Sequence, residues 1–230
     1  MRRFILILSV LFCASCEIEQ GETILLTVLS DRTDPTILKP DMVTLEGFLR
    51  LDKNPNKGVE FNFKTIGNVD FLPIKSLNLQ QSSILDNNFQ RTTDVSLFIR
   101  KIDTLLVQEN QNEYSFQSSS IFRPLLDELI KAKNSDATYK VVILYSDLQE
   151  ISDLYNTAGF KERKDLLENP DLVAGQLVSH LDIPNLEGVR LHILYYPSTR
   201  EENRTFRAMF EVYRIIFKDT GLELQIGSVH

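Results

Sequence analysis

Three short runs of the chain are almost wholly apolar: residues 24–29 (ILLTVL), 139–145 (YKVVILY) and 189–196 (VRLHILYY). Short runs without polar alternation are typical of strands buried on both faces of a parallel sheet. Elsewhere apolar residues recur at helical spacing. That spacing predicts helices over 37–51, 92–107, 121–133, 159–168, 171–181 and 199–218.

Three further strands have weaker signals. Residues 59–65 alternate apolar and polar side chains, which predicts a strand with one polar face near a sheet edge. Residues 69–79 predict an edge strand, because Pro73 cannot donate a hydrogen bond to a central ladder. Residues 222–226 predict a last strand, and we expect Gly221 to cap the helix before it.

Strands that alternate with helices predict the α/β class, here a three-layer, doubly wound, mostly parallel sheet with helices on both faces. One domain over residues 23–230 accounts for the pattern. The 230-residue chain is 43% hydrophobic and 25% charged, an ordinary globular composition that can bury a core without disulfides. Its formal net charge of −7 argues against binding to nucleic-acid phosphates.

The first sixteen residues have the layout of a targeting signal. Arg2 and Arg3 precede an apolar run over 4–12, and small residues stand directly before Cys16, as in a secretory signal. The apolar run is well short of the roughly 20 residues that a spanning helix needs. Residues 13–16 (CASC) resemble a bacterial lipobox. The resemblance implies that Cys16 is lipidated, whereas the alternative is an ordinary signal peptide with a chance cysteine.

Cleavage at this point divides the chain into a signal peptide (1–15), a polar tether (16–22) and the folded domain. Because Arg2 and Arg3 are lost, the formal net charge moves from −7 to −9. The two cysteines of the chain both lie in this region, so the folded domain has no thiol chemistry. We therefore expect a protein anchored by lipid in a bacterial cell envelope, on the periplasmic or outer-membrane face.

Two of the buried strands end in a carboxylate, at Asp31 and at Asp147. Ligands of an open α/β sheet bind beyond the carboxyl ends of its strands, where the strand order reverses. Neighbouring strands would bring the two carboxylates over one crevice. Oxygen ligands of this kind suit Mg²⁺, with Mn²⁺ or Ca²⁺ as alternatives, and do not suit Zn²⁺. Each carboxylate alone has a simpler interpretation as a helix N-cap.

These residues also resemble a known family. Asp31 and Thr33 after the first strand, the serines Ser119 and Ser120 before a helix, and Asp147 in the stretch VVILYSDLQE look like the metal-ion-dependent adhesion site of von Willebrand factor A domains. The resemblance implies that these residues hold the metal, with either serine in the place of the family's Thr. It also implies that an acidic residue of a protein partner completes the coordination.

The chain departs from the family at Pro35, which occupies the third position of the first motif and offers no side-chain oxygen. Asp34 or Thr36 could supply the missing ligand through a rearranged turn, or a water could do so. The sequence therefore leaves open whether a metal binds.

The expected function is that of a non-enzymatic module that binds a protein partner through a Mg²⁺ site. One alternative is an interaction or scaffold protein with the same fold and a degenerate site. Another is a hydrolase with Asp31 as nucleophile, although Thr33 stands where such enzymes carry a second Asp. We expect buried or capping roles for His180 and His192, and no Gly-rich phosphate loop is present.

Overall fold

The computed structural model describes residues 22–67, 73–82, 87–114, 116 and 118–227. The strands are β1 (Thr23–Asp31), β2 (Gly58–Ile66), β3 (Lys75–Leu79), β4 (Tyr139–Tyr145), β5 (Val189–Leu194) and β6 (Glu223–Gly227). The helices are α1 (Met42–Leu49), α2 (Asn88–Gln111), α3 (Phe122–Asn134), α4 (Phe160–Glu168), α5 (Pro170–Leu177) and α6 (Arg200–Phe217). The signal peptide predicted over 1–15, Cys16 and nearly all of the 16–22 tether lie outside the described residues.

The six strands form one sheet in the order β3-β2-β1-β4-β5-β6. All neighbours are parallel except β3, which pairs antiparallel with β2 at one edge. The chain builds outward from β1 to β3 and then crosses to β4 on the other side of β1. The strand order therefore reverses between β1 and β4, and the α/β, mostly parallel architecture predicted from the sequence is confirmed.

Helices cover both faces of the sheet and divide the core into two clusters. Helices α3, α4, α5 and α6 pack on one face, against Leu25 and Leu29 of β1 among others. Helices α1 and α2 pack on the opposite face, against Ile24, Leu26 and Val28. Because alternate side chains of a strand point to opposite faces, β1 must be apolar on both, which explains its unbroken run.

The alternation of apolar and polar side chains in β2 does not produce an exposed polar face. The strand lies second from the sheet edge, as predicted, but Asn62 and Lys64 on its polar face are buried. Lys64 forms an ion pair of 3.2 Å with Glu128 of α3, and Lys131 reaches the same carboxylate at 2.7 Å. A helix thus covers the polar face, and the pair lets a charged side chain stay inside.

Two helices differ in length from their predictions for local reasons. Helix α1 begins at Met42 rather than at residue 37, because the Asp41 side chain caps it by accepting from the Thr44 amide at 2.9 Å. Arg50, with φ of 46°, ends the helix in the left-handed region. Helix α2 is longer than 92–107, because the Asn87 side chain accepts from the Phe89 amide and caps it earlier.

Three other boundaries also differ. Helix α5 ends at Leu177, short of the predicted residue 181. Gly221 does not cap α6, which already ends at Phe217; with φ of 76°, it ends the turn that leads into β6. The edge strand predicted over 69–79 is confirmed only at Lys75–Leu79, and residues 68–72 lie outside the described part of the chain.

Helix α6 begins with a capping box whose contribution can be measured. The Thr199 hydroxyl accepts from the Glu202 amide at 3.1 Å, and the Glu202 carboxylate accepts in return from the Thr199 amide. We expect Thr199→Ala to lower the free energy of unfolding by about 1 kcal/mol, because an N–H of the first turn loses its acceptor. Urea unfolding followed by circular dichroism measures this change.

Thr93→Ala on α2 is the matched control, since that threonine is exposed and lies inside a helix. It should change the same free energy by less than about 0.5 kcal/mol. Equal losses in the two variants would contradict a specific role for the capping box.

Candidate metal centre

The candidate site lies where β1 and β4 end side by side. Ser30 of β1 is in register with Tyr145 of β4, so the next residues of the two strands, Asp31 and Ser146, stand together. The Ser146 hydroxyl donates to Asp31 Oδ2 at 2.7 Å. The strand order reverses between β1 and β4, so the site lies at the place where ligands of open α/β sheets bind. The two carboxylates at the ends of these strands predicted a site at this place.

Asp31 is a buried carboxylate with both oxygens engaged. Its Oδ1 accepts from the Thr33 amide at 3.0 Å and from the Thr33 hydroxyl at 2.6 Å, while Oδ2 accepts from Ser146. Burial raises the pKa of Asp31, and the bonds from Thr33 oppose that rise. Asp31 therefore holds the turn after β1 in place and orients the Thr33 hydroxyl, whose oxygen lone pairs remain available to a ligand.

Asp147 is the second buried carboxylate of the site and is 6% exposed. Its Oδ1 accepts from the Gln149 amide at 2.9 Å, and its Oδ2 accepts from the Gln149 side-chain amide at 2.6 Å. Burial raises the pKa of Asp147 to about 6, and the negative charge of nearby Asp31 adds to the rise. The ionised form of this carboxylate is thus less favourable than that of an exposed aspartate.

The backbone beside Asp147 is strained. Leu148 is fully buried and has φ of 64°, in the left-handed region that side chains other than glycine seldom adopt. This turn brings the Gln149 amide back onto Asp147 Oδ1. Strain of about 1–3 kcal/mol of this kind persists where the surrounding structure imposes it, often at functional sites.

The two candidate serines occupy different positions. Ser119 lines a pocket of about 170 Å³, whose wall is completed by Thr33, Asp34, Phe116, Ser118, Asp147, Gln149 and Ile151. Ser120 does not line it, and its amide donates to the Gly67 carbonyl at 2.6 Å. Among the described residues, the Ser119 hydroxyl has no hydrogen-bond partner, although the residue is only 2% exposed. The structure therefore brings Ser119 together with Thr33 and Asp147.

The turn around Pro35 brings Asp34 to the pocket and leaves Thr36 out of it. The Thr36 amide and hydroxyl both donate to Asp34 Oδ1, at 2.7 and 2.6 Å. Asp34 therefore adds a carboxylate to the pocket wall, whereas the Thr36 hydroxyl serves the turn. Of the two residues considered as substitutes for the missing oxygen at Pro35, only Asp34 lies at the site.

A third buried carboxylate, that of Glu150, lies next to the site and stabilises the segments that form it. The sequence pattern predicts no role for this residue. Its Oε2 accepts from the amides of Ile121 and Phe122, each at 3.0 Å, and its other oxygen accepts from the Ser152 hydroxyl. Glu150 thus caps α3, whose N-terminus has no side-chain cap from its own segment. The preceding serines mark where the helix begins but do not cap it.

Backbone bonds tie the same two segments together. Ser119 and Ile151 exchange amide-to-carbonyl hydrogen bonds of 3.0 and 2.7 Å. Together with the Glu150 cap, this bridge fixes the loop that carries Ser119 against the loop that follows Asp147. These contacts therefore preorganise the pocket wall, of which Ser119 and Ile151 are both part.

The donor set fits a hard cation such as Mg²⁺. The side chains that line the pocket offer hydroxyl and carboxylate oxygens and the Gln149 amide, and they include a buried hydroxyl without a partner, at Ser119. Within the described ranges, no three His, Cys, Asp or Glu side chains are grouped so that they could hold a metal ion. A cation bound here would consequently need hydroxyl and water ligands besides the carboxylates of Asp34 and Asp147, an arrangement that suits Mg²⁺ better than Zn²⁺.

The histidines lie elsewhere. His192 of β5 is half-buried on the α1 side of the sheet, with its ring 4.8 Å from that of Phe48 in an edge contact. Burial lowers the pKa of His192. His180 is exposed after α5. Neither residue lines the candidate pocket.

No family model matches the chain, and no curated protein matches it. A variant of the PilB minor pilin from Streptococcus sanguinis is 12% identical over 93% of this chain, with a TM-score of 0.43, and the chain spans 58% of the pilin's length. The conserved hypothetical protein BatB from Bacteroides thetaiotaomicron is 11% identical, with a TM-score of 0.35, over 91% of this chain and 92% of its own. Similarity at this level supports no argument about ligand or partner.

In the described part of the chain, none of the helices has the length and hydropathy needed to cross a membrane. The signal peptide and the lipidation of Cys16 remain predictions from the sequence, since residues 1–21 lie outside the described ranges.

Proposed function

We propose that the chain is a von Willebrand factor A-like binding module, anchored by lipid on Cys16 in a bacterial envelope, that holds Mg²⁺ at the carboxyl ends of β1 and β4. Thr33, Ser119 and Asp147 would hold the cation, with Asp34 beside them and Asp31 orienting Thr33. The observation that carries the proposal is the buried, unpartnered Ser119 hydroxyl in the same small pocket as the Asp147 carboxylate.

The electrostatics support a cation at this place. Asp31 and Asp147 are both buried and both have raised pKa values, because burial disfavours their ionised forms. A divalent cation would supply positive charge there and offset this effect. It would also let an acidic group of a partner approach a protein whose formal net charge after cleavage is −9. Both Asp31 oxygens are hydrogen-bonded inside the protein, which disfavours Asp31 as a nucleophile.

Titration calorimetry with Mg²⁺ and Mn²⁺ on the mature protein tests the proposal. We expect heat of binding with the wild type, no heat with Asp147→Ala, and affinity weaker by at least about ten-fold with Ser119→Ala. Ser120→Ala is the matched control, since Ser120 is equally buried at 2% but does not line the pocket, and its affinity should be unchanged. Absence of heat in the wild type would defeat the metal proposal.

A metal-independent interaction protein is the second candidate, and Pro35 favours it because this residue removes one ligand of the family pattern. The two candidates differ in their response to chelation. Affinity capture of partners by the mature protein should be lost in EDTA and restored by Mg²⁺ under the first proposal. Capture that survives EDTA would support the second.

A further inference from the structure

The described chain starts at the pole of the sheet opposite the candidate site. Strand β1 runs from Thr23 to Asp31, and at about 3.3 Å per residue these ends are roughly 26 Å apart. Glu22, just before the strand, forms an ion pair of 2.6 Å with Lys57 and accepts a hydrogen bond from Tyr139. We call this end the tether pole, defined by Glu22, Arg50, Lys53, Lys57 and Phe89.

Phe89 is an exposed apolar side chain at the tether pole. It lies in the first turn of α2 and is 79% exposed. Two residues further on, Arg91 donates to the carbonyls of Pro55 and Lys57, at 2.5 and 2.6 Å, which fixes this turn against the segment before β2. The Arg91 hydrogen bonds therefore fix the first turn of α2, and with it Phe89, at the tether pole.

The charges at the tether pole differ from those of the chain as a whole. Arg50, Lys53 and Lys57 lie at this pole together with the carboxylates of Glu22, Glu46 and Asp52, so the local charge is balanced, although the mature chain has a formal net charge of −9. Arg50 and Lys53 are exposed. Basic residues around an exposed aromatic ring are typical of surfaces that rest on an anionic lipid interface, where the ring enters the acyl boundary.

The predicted tether indicates that the tether pole lies close to a membrane. Only five residues lie between the predicted lipid on Cys16 and Glu22, so six steps of about 3.6 Å keep the pole within roughly 22 Å of the membrane. We propose that the tether pole is a lipid-docking surface, with Phe89 inserted at the interface and Arg50 and Lys53 on anionic headgroups. The candidate metal centre then faces away from the membrane. This inference rests on the lipid anchor of the proposed function.

The absence of Trp from the chain makes a direct test available. Phe89→Trp places a single indole at the tether pole, and Phe160→Trp places one on a side chain that is 90% exposed at the start of α4, a helix that follows the site loops. Each protein is purified from membranes, its lipidation checked by mass spectrometry, and reconstituted into phosphatidylglycerol-containing vesicles with brominated acyl chains.

We expect the emission of the Phe89→Trp protein to shift to shorter wavelength and to be quenched by bromine, with neither change in the Phe160→Trp protein. Quenching should weaken when Lys53→Glu is added to the Phe89→Trp protein. A lipidated protein without quenching at position 89, or with equal quenching at both positions, would overturn the docking surface and leave the anchor intact. A blue shift without vesicles would instead indicate self-association and overturn it, and an unlipidated protein would overturn both surface and anchor.

Discussion

Replacement of Glu150 by Ala should lower the free energy of unfolding by about 3 kcal/mol, because two buried amides at the start of α3 lose their acceptor. The amides of Ile121 and Phe122 both donate to Glu150 Oε2, and the carboxylate is fully buried. Its negative charge also complements the positive end of the helix dipole. The loss should extend to the candidate site, since Ser119 directly precedes this helix start and pairs with Ile151.

Urea unfolding followed by circular dichroism measures the change, and Mg²⁺ titration of the same variant measures its effect on the site. Glu150→Gln is the matched control, because the amide keeps an oxygen that accepts from both backbone groups. We expect it to lose less than half as much stability as Glu150→Ala. If Glu150→Ala lies within about 1 kcal/mol of the wild type, water replaces the carboxylate and the cap is dispensable.

The role of Glu150 shows why part of the site could not be predicted from the sequence. Asp31 and Asp147 could be predicted because each follows a buried strand directly, and parallel strands end at a common edge. Glu150 caps a helix that begins 28 residues earlier in the chain, so no local motif announces it. A short spacing pattern predicts a capping residue only when the cap and the helix are adjacent in sequence.

Other differences share this non-local origin. The polar face of β2 is buried because Lys64 pairs with Glu128, 64 residues away. Similarly, Ser119 and Ser120 are equivalent in sequence, and tertiary contacts distinguish them: Ser119 pairs with Ile151 and lies at the pocket, whereas the Ser120 amide donates to the Gly67 carbonyl. Alternation and strand ends are local properties and predict the architecture, whereas the choice between neighbouring hydroxyls depends on tertiary contacts.

The second large effect concerns the pH dependence of stability, to which the buried Asp147 carboxylate contributes together with Asp31 and Glu150. The pKa of Asp147 is about 6 in the folded protein, because of burial, against an ordinary value of 3.8. The folded state therefore binds a proton more tightly than the unfolded state. As pH rises from about 4 through 6, the folded protein must lose that proton and stability falls, by about 3 kcal/mol in full.

Asp147→Asn removes this penalty, since the side chain stays neutral at every pH. Its oxygen can still accept from the Gln149 amide, and the Gln149 side chain can present its own oxygen to the new NH₂ group by rotation. We therefore expect the variant, in EDTA, to exceed the wild type in stability at pH 7 by about 2–3 kcal/mol, and to match it near pH 4.

Urea unfolding in EDTA at a series of pH values tests this, with exposed Asp136→Asn as the control that should leave the wild-type profile unchanged. If the free energies of unfolding of the wild type and of Asp147→Asn changed in parallel with pH, the raised pKa of Asp147 would be contradicted. Saturating Mg²⁺ should stabilise the wild type at pH 7 and leave Asp147→Asn unaffected, because only an ionised carboxylate gains from the cation. A variant that is more stable without metal and insensitive to it would show that Asp147 is kept for binding at the expense of the fold.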